Sequence, residues 1–183
     1  MNFIKSSIDG LIIIEPKVFT DDRGFFMETY SKKEFADNGI NVEFVQDNHS
    51  QSTKGVLRGL HFQKPPFAQD KLIRVTRGKV LDIALDIRKD SPTFGQYEVV
   101  ELSEENKKMF FIPKGFAHGF LVLSDIVDFQ YKCSNYYSKE SEGGILWNDP
   151  EIGINLPQAG DLLLSDKDKL WPTLAEIKNL NLF

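Results

Sequence analysis

The tightest constraint on this chain is how short its apolar segments are. Uninterrupted apolar runs such as Leu11–Ile14 and Phe120–Leu123 are four residues long, the length of strands and far below a membrane span. Between Leu81 and Arg88 the pattern is sharper still. Leu81, Ile83, Leu85 and Ile87 alternate with Asp82, Ala84, Asp86 and Arg88, which is the period of a β-strand. Arg77-Gly78-Lys79 supplies a turn just before it, so Lys71–Lys79 and Val80–Arg88 read as a hairpin. Tyr97–Leu102, Met109–Ile112, Gly119–Leu123 and Asp128–Cys133 read as further strands, each bounded by Gly, Pro, Ser or charge. Leu11–Glu15 adds one near the start, followed by a polar turn at Thr20–Gly24. Many short strands at close spacing point to a sandwich or small barrel rather than a parallel sheet with crossover helices.

Helical signals are few. Ser31 and Glu34 have capping-box spacing and Gly39 is a natural stop, which predicts a two-turn helix between them. From about residue 161 the chain reads as a loop followed by a helix around Leu174–Leu180. With 183 residues and no Pro/Gly/Ser-rich linker, the expectation is one all-β domain with a few short peripheral helices.

Composition narrows the function classes. The formal net charge of −5 disfavours nucleic acid as a general partner, though it leaves room for a local anion pocket. One cysteine, Cys133, precludes an internal disulfide framework and fits a reducing compartment. With no basic-then-apolar leader, the expected location is the cytoplasm, with no membrane association.

Only a handful of side chains offer chemistry. His61 lies in Leu57-Arg58-Gly59-Leu60-His61-Phe62-Gln63. Strict alternation would set Arg58 and His61 on opposite faces, but a glycine inside a strand often marks a bulge and disturbs that count. His61 is then either a half-buried strand histidine satisfied by one hydrogen bond or a base. A second histidine stands in Phe111-Ile112-Pro113-Lys114-Gly115-Phe116-Ala117-His118-Gly119-Phe120. Strand, Pro-x-Gly turn and histidine together form the second-half signature of a cupin barrel. The first half of such a barrel normally offers His-x-His, and here Gln63 replaces the second histidine. His49 reads as a structural turn residue, so a metal site is not expected. The tyrosines near Phe129–Tyr137 are by default core aromatics with their hydroxyls at the rim. Lys71, Arg23 and the carboxylates Asp166 and Asp168 could each be solvated.

Read together, the segments are more specific. Asp22-Arg23-Gly24-Phe25-Phe26-x-Glu28, Gln46-Asp47-Asn48-His49-Ser50, Leu57–Gln63 and Lys71-Leu72-Ile73-Arg74-Val75 occur in order. Gly78–Arg88, Pro113-x-Gly-Phe-Ala-His118-Gly-Phe120, Tyr131-Lys132 and Leu164-Ser165-x-Lys167-Asp168 follow. From Phe19 to Asp168 the chain resembles the dTDP-4-dehydrorhamnose 3,5-epimerases of deoxysugar biosynthesis, a metal-independent cupin family. The resemblance implies a jelly-roll barrel, no cofactor, and a dTDP-4-keto sugar as substrate. It implies His61 as base with Asp168 as its partner, Tyr131 as acid, and Lys71 near the developing enolate. Arg23, Arg58 and His118 match substrate contacts, and Glu28, Gln46, Asn48, Glu142 and Lys167 match residues at the nucleotide end. Tyr137 matches an aromatic that stacks on thymine. The resemblance further implies a homodimer whose N-terminal segments exchange. An epimerase acting on one carbon only, a metal-using cupin and a purely binding cupin are the competing readings.

Overall fold

The computed structural model of the chain describes residues 1–157, 161–178 and 182–183. Its strands are β1 (Asn2–Lys5), β2 (Ile12–Glu15), β3 (Val18–Asp21), β4 (Gly24–Met27), β5 (Gln46–Thr53), β6 (Leu57–Gln63) and β7 (Lys71–Arg77). They continue as β8 (Lys79–Asp86), β9 (Tyr97–Ser103), β10 (Met109–Ile112), β11 (Phe116–Val122), β12 (Ile126–Cys133) and β13 (Glu142–Gly144). The helices are α1 (Lys32–Asp37) and α2 (Leu174–Lys178). No helix among the described residues is long and apolar enough to cross a membrane.

Two antiparallel sheets form the body: β1-β2-β10-β7-β12-β5 and β13-β6-β11-β8-β9. Inward residues of both sheets make one core: Ile73, Val75, Phe110 and Phe129 meet Val80, Val100, Phe120 and Val122. The strand pattern points to a sandwich or small barrel, and the architecture is the cupin-type jelly roll that the family resemblance implies. The strands expected from sequence are present, but Lys71–Lys79 and Val80–Arg88 do not form a hairpin. β7 belongs to the six-stranded sheet and β8 to the five-stranded one, so the chain turns a corner at Gly78. There φ is +78°, and a Cβ would lie 2.1 Å from the Ile126 carbonyl oxygen. Gly-containing turns signal a change of direction without saying which sheet receives the next strand.

Both outer faces are also covered. Ile83, Leu85 and Leu121 project from the back of the five-stranded sheet against Ile152, Leu174 and Ile177. The alternation in Leu81–Arg88 therefore buries both of its faces, and Asp82 and Asp86 are fully buried. The back of the six-stranded sheet carries Ile14, Leu72 and Met109 against Phe35 of α1. Helix α1 forms where its caps predict: the Ser31 hydroxyl accepts from the Glu34 N–H, and Gly39 takes φ +87°. Of the C-terminal helix, Leu174–Lys178 is helical, while residues 179 and 180 lie outside the described residues. The β3–β4 hairpin pairs only with itself and exposes Phe19, Phe25 and Phe26.

Candidate active site

The site starts with an irregular strand. His61 on β6 pairs with His118 on β11, yet Arg58 pairs with Phe120, so three steps on β6 match two on β11. The extra residue is a bulge. Its effect is visible in packing, because Leu57 and Leu60, an odd number of residues apart, both enter the outer core. Arg58 and His61, the residues that follow each of these leucines, are thereby both turned toward the other side, and the Arg58 charge acts on Tyr131 of the facing sheet. Gly59 makes the bulge possible. It has φ +126°, and a Cβ would lie 2.5 Å from Gly119 Cα and 2.8 Å from the His118 carbonyl oxygen.

Asp168 meets His61 from the C-terminal segment. That segment is tied to β6 where Leu57 N–H donates to Leu163 (3.0 Å) and Leu163 N–H donates to Gly55 (2.9 Å). A turn then brings Asp168 round, its N–H donating to the Ser165 carbonyl at 3.1 Å. The His61 Nε2 to Asp168 Oδ1 distance is 2.5 Å. Burial pushes the Asp168 carboxyl up, but hydrogen bonds from His61, Trp171 and Ser165 outweigh it and hold it below the usual carboxylate range. With Nε2 occupied by the carboxylate, a neutral His61 offers Nδ1 as its free lone pair.

Tyr131 (β12) and Lys71 (β7) come from the six-stranded sheet, opposite His61. All three line one cavity of about 340 Å³, with the Lys71 ammonium 6.0 Å from the centre of the Tyr131 ring. Burial raises the Tyr131 phenol, with Cys133 adding to the effect and Arg58 opposing it, so the phenol is protonated at neutral pH. Burial lowers Lys71, while the charges of Cys133 and Asp82 oppose the change.

Of the residues expected at the nucleotide end, Gln46, Asn48, Tyr137 and Glu142 line the cavity, and Lys167 is joined to it through Glu142. Gln46 Nε2 donates to Asn48 Oδ1 at 3.0 Å, and the Tyr137 N–H donates to Gln46 Oε1 at 3.3 Å. Glu142 accepts from the Tyr137 hydroxyl (3.3 Å) and from Lys167 Nζ (2.6 Å). The Tyr137 ring is otherwise exposed, free to take a flat partner on its face.

Four expectations are not met within one chain. Arg23 stands at the tip of the β3–β4 hairpin, 89% exposed and paired with Asp21, and Glu28 just beyond it is also exposed. Neither lines the cavity. His118 does not line it either: its ring is buried against Phe129, with Nε2 3.0 and 3.1 Å from the two Asp82 oxygens. Burial holds His118 below its ordinary value, with Asp82 opposing. His49 lies on β5 rather than in a turn, and it faces Asp128 on an exposed surface at 3.4 Å. Sequence reading missed Asp82 and Trp171. The alternation of Leu81–Arg88 held a signal for Asp82, since the polar half of a strand in a closed barrel can face the lumen. Trp171 gave none.

Fold and lumen define a class: a cupin-type barrel whose lumen sets an imidazole of one sheet, backed by a carboxylate from the C-terminal segment, across from a phenol of the other sheet. The family model described as dTDP-4-dehydrorhamnose 3,5-epimerase matches residues 5–176. The chain belongs to that family, and it is an isomerase. It is 55% identical over 183 residues to the dTDP-4-dehydrorhamnose 3,5-epimerase of Escherichia coli K12, covering 100% of this chain and 99% of that one. Identity to the enzyme of the same name from Methanothermobacter thermautotrophicus is 54% over 176 residues, 95% of each chain. Among solved structures it is similar to dTDP-6-deoxy-D-glucose-3,5-epimerase of Legionella pneumophila in complex with dTDP-4-keto-L-rhamnose. The TM-score is 0.95 and identity 51%, covering 99% of this chain and 96% of that one.

Proposed function

We propose that the cavity converts dTDP-4-dehydro-6-deoxy-D-glucose to dTDP-4-dehydro-L-rhamnose by inverting C3 and C5. Both carbons flank the C4 ketone, so removal of either proton gives an enolate whose charge rests on the C4 oxygen. His61 Nδ1 takes the proton, and Asp168 stabilises the imidazolium that results. The electron pair of the broken C–H bond moves into the ring to form the enolate, whose oxygen lies toward Lys71. A preorganised donor there lowers the barrier by about 3–4 kcal/mol. Tyr131, protonated and on the facing sheet, returns a proton to the opposite face of the carbon. Solvent then takes the proton from His61 and restores that of Tyr131. The chemistry uses no cofactor, because the ketone already acidifies both protons.

The observation that carries this reading is the placement of the His61–Asp168 pair and the neutral Tyr131 phenol on facing walls of one cavity. Gln46, Asn48, Glu142 and Lys167 hold the nucleotide end, Tyr137 stacks on the thymine, and Arg58 answers the diphosphate at the mouth. We further propose a homodimer in which each β3–β4 hairpin crosses to the partner, placing Arg23 and Glu28 beside the partner's cavity. The self-paired hairpin and its exposed phenylalanines support this. The free, buried Cys133 suits the cytoplasm as the compartment.

Incubation with the 4-keto sugar nucleotide in deuterated water tests the reaction. Deuterium at both C3 and C5 of the product is expected. Uptake at one carbon alone would make the chain a monoepimerase, and no uptake would leave a binding protein.

A further inference from the structure

Trp171 is the second donor on the carboxylate that serves His61. Its indole Nε1 donates to Asp168 Oδ1 at 3.2 Å, and the same Oδ1 faces His61 Nε2. The indole also meets the imidazole edge-on, with centroids 5.9 Å apart and planes at 70°. Its own position is fixed from several sides. The ring lies on Gly144, where a Cβ would come within 2.4 Å of it, and Gly144 is the cross-strand partner of His61. The next residue is pinned, since Leu146 N–H donates to the Pro172 carbonyl at 2.9 Å. Lys167 Nζ lies 5.7 Å from the ring centroid on a further side.

A tryptophan used only to fill space needs apolar neighbours. This one directs its single donor at a buried carboxylate and rests against the strand residue beside the base. We infer that Trp171 is a positioning residue for the His61–Asp168 pair, fixing the rotation of the carboxylate and limiting the negative charge it lends to the imidazole. The inference rests on the proposed role of that pair. Asp168 already sits below the usual carboxylate range, with the Trp171 N–H among the causes. Other charges face the pair from every side. His118 stands beside His61 on β11 with Asp82 behind it, Lys71 and Tyr131 lie across the cavity, and Lys167 and Glu142 are at the rim. A change confined to the indole N–H leaves all of these in place.

Trp171→Phe keeps a ring on Gly144 and removes the donor. The expected result is a kcat lower by roughly tenfold, the scale of one hydrogen bond to a charged group, with KM little changed. The acid limb of the kcat/KM profile should also move to higher pH, because an unshared carboxylate favours the imidazolium. A loss uniform across pH, with the limb in place, would mean Trp171 only packs, and unchanged kinetics would likewise overturn the inference. The indole N–H signal offers a readout that needs no variant of Trp171 to fold. The chain has two tryptophans, and one indole resonance should shift between acidic and neutral pH and lose that response in Asp168→Asn. An indole resonance indifferent to both would also refute the proposal. If His61→Asn still exchanged substrate protons with solvent, the epimerase mechanism itself would fail, whatever Trp171→Phe does.

Discussion

At the residue scale, the lumen keeps two kinds of histidine apart. His61 is half-exposed and has a carboxylate behind it, whereas His118, its neighbour across the ladder, is buried against Asp82. Tyr131→Phe should still permit proton removal, seen as loss of substrate C–H signal in deuterated water, while inverted product falls by about 10²–10⁴-fold. Product formed at the native rate would remove Tyr131 from the mechanism. His118 should leave its mark on stability. Its folded value lies below the ordinary 6.5, so between those values the unfolded chain binds a proton that the native state refuses. The His118 contribution to stability then rises with pH through that window, while Asp82, whose carboxyl burial pushes up, contributes in the opposite sense. His118→Asn should flatten the change in urea midpoint between pH 7 and pH 5, even if it lowers stability overall.

At the element scale, β6 shows how one residue sets the direction of a strand's chemistry. Alternation alone left Arg58 and His61 on opposite faces, and the bulge at Gly59 reverses that. Gly59→Ala should destabilise the protein by about 2 kcal/mol or more, since it combines a strained φ with contact against β11 backbone. Activity should fall further than the folded fraction does, because His61 turns with the strand. Thermal unfolding alongside turnover per folded molecule would reveal whether the two losses separate. Helix α1 was readable because its caps are local. The alternation of Leu81–Arg88 was readable as a strand, but not as one buried on both sides, because what covers its back arrives from the far end of the chain. The corner at Gly78 was misread for a related reason: a turn's composition does not encode its sheet partners.

At the scale of the whole molecule, the candidate site draws on residues far apart in sequence. His61 and Asp168 are 107 positions apart, and no local pattern links them; the order of motifs along the chain did, through family resemblance. Arg23 and Glu28 were readable in the same way, yet one chain leaves them outside its own cavity. If the hairpins exchange, mixing inactive Arg23→Ala and His61→Ala subunits should recover activity, since the mixed dimer contains one site with both residues intact. Mixtures as inactive as either parent would show that each subunit uses its own Arg23. The covering of the five-stranded sheet has a consequence of its own. The same terminal strap that seals Ile83, Leu85 and Leu121 from water also carries the carboxylate behind His61. A nick that let this strap lift away would therefore silence the enzyme and lay bare a sticky surface in one event, leaving no stable but inert form to accumulate.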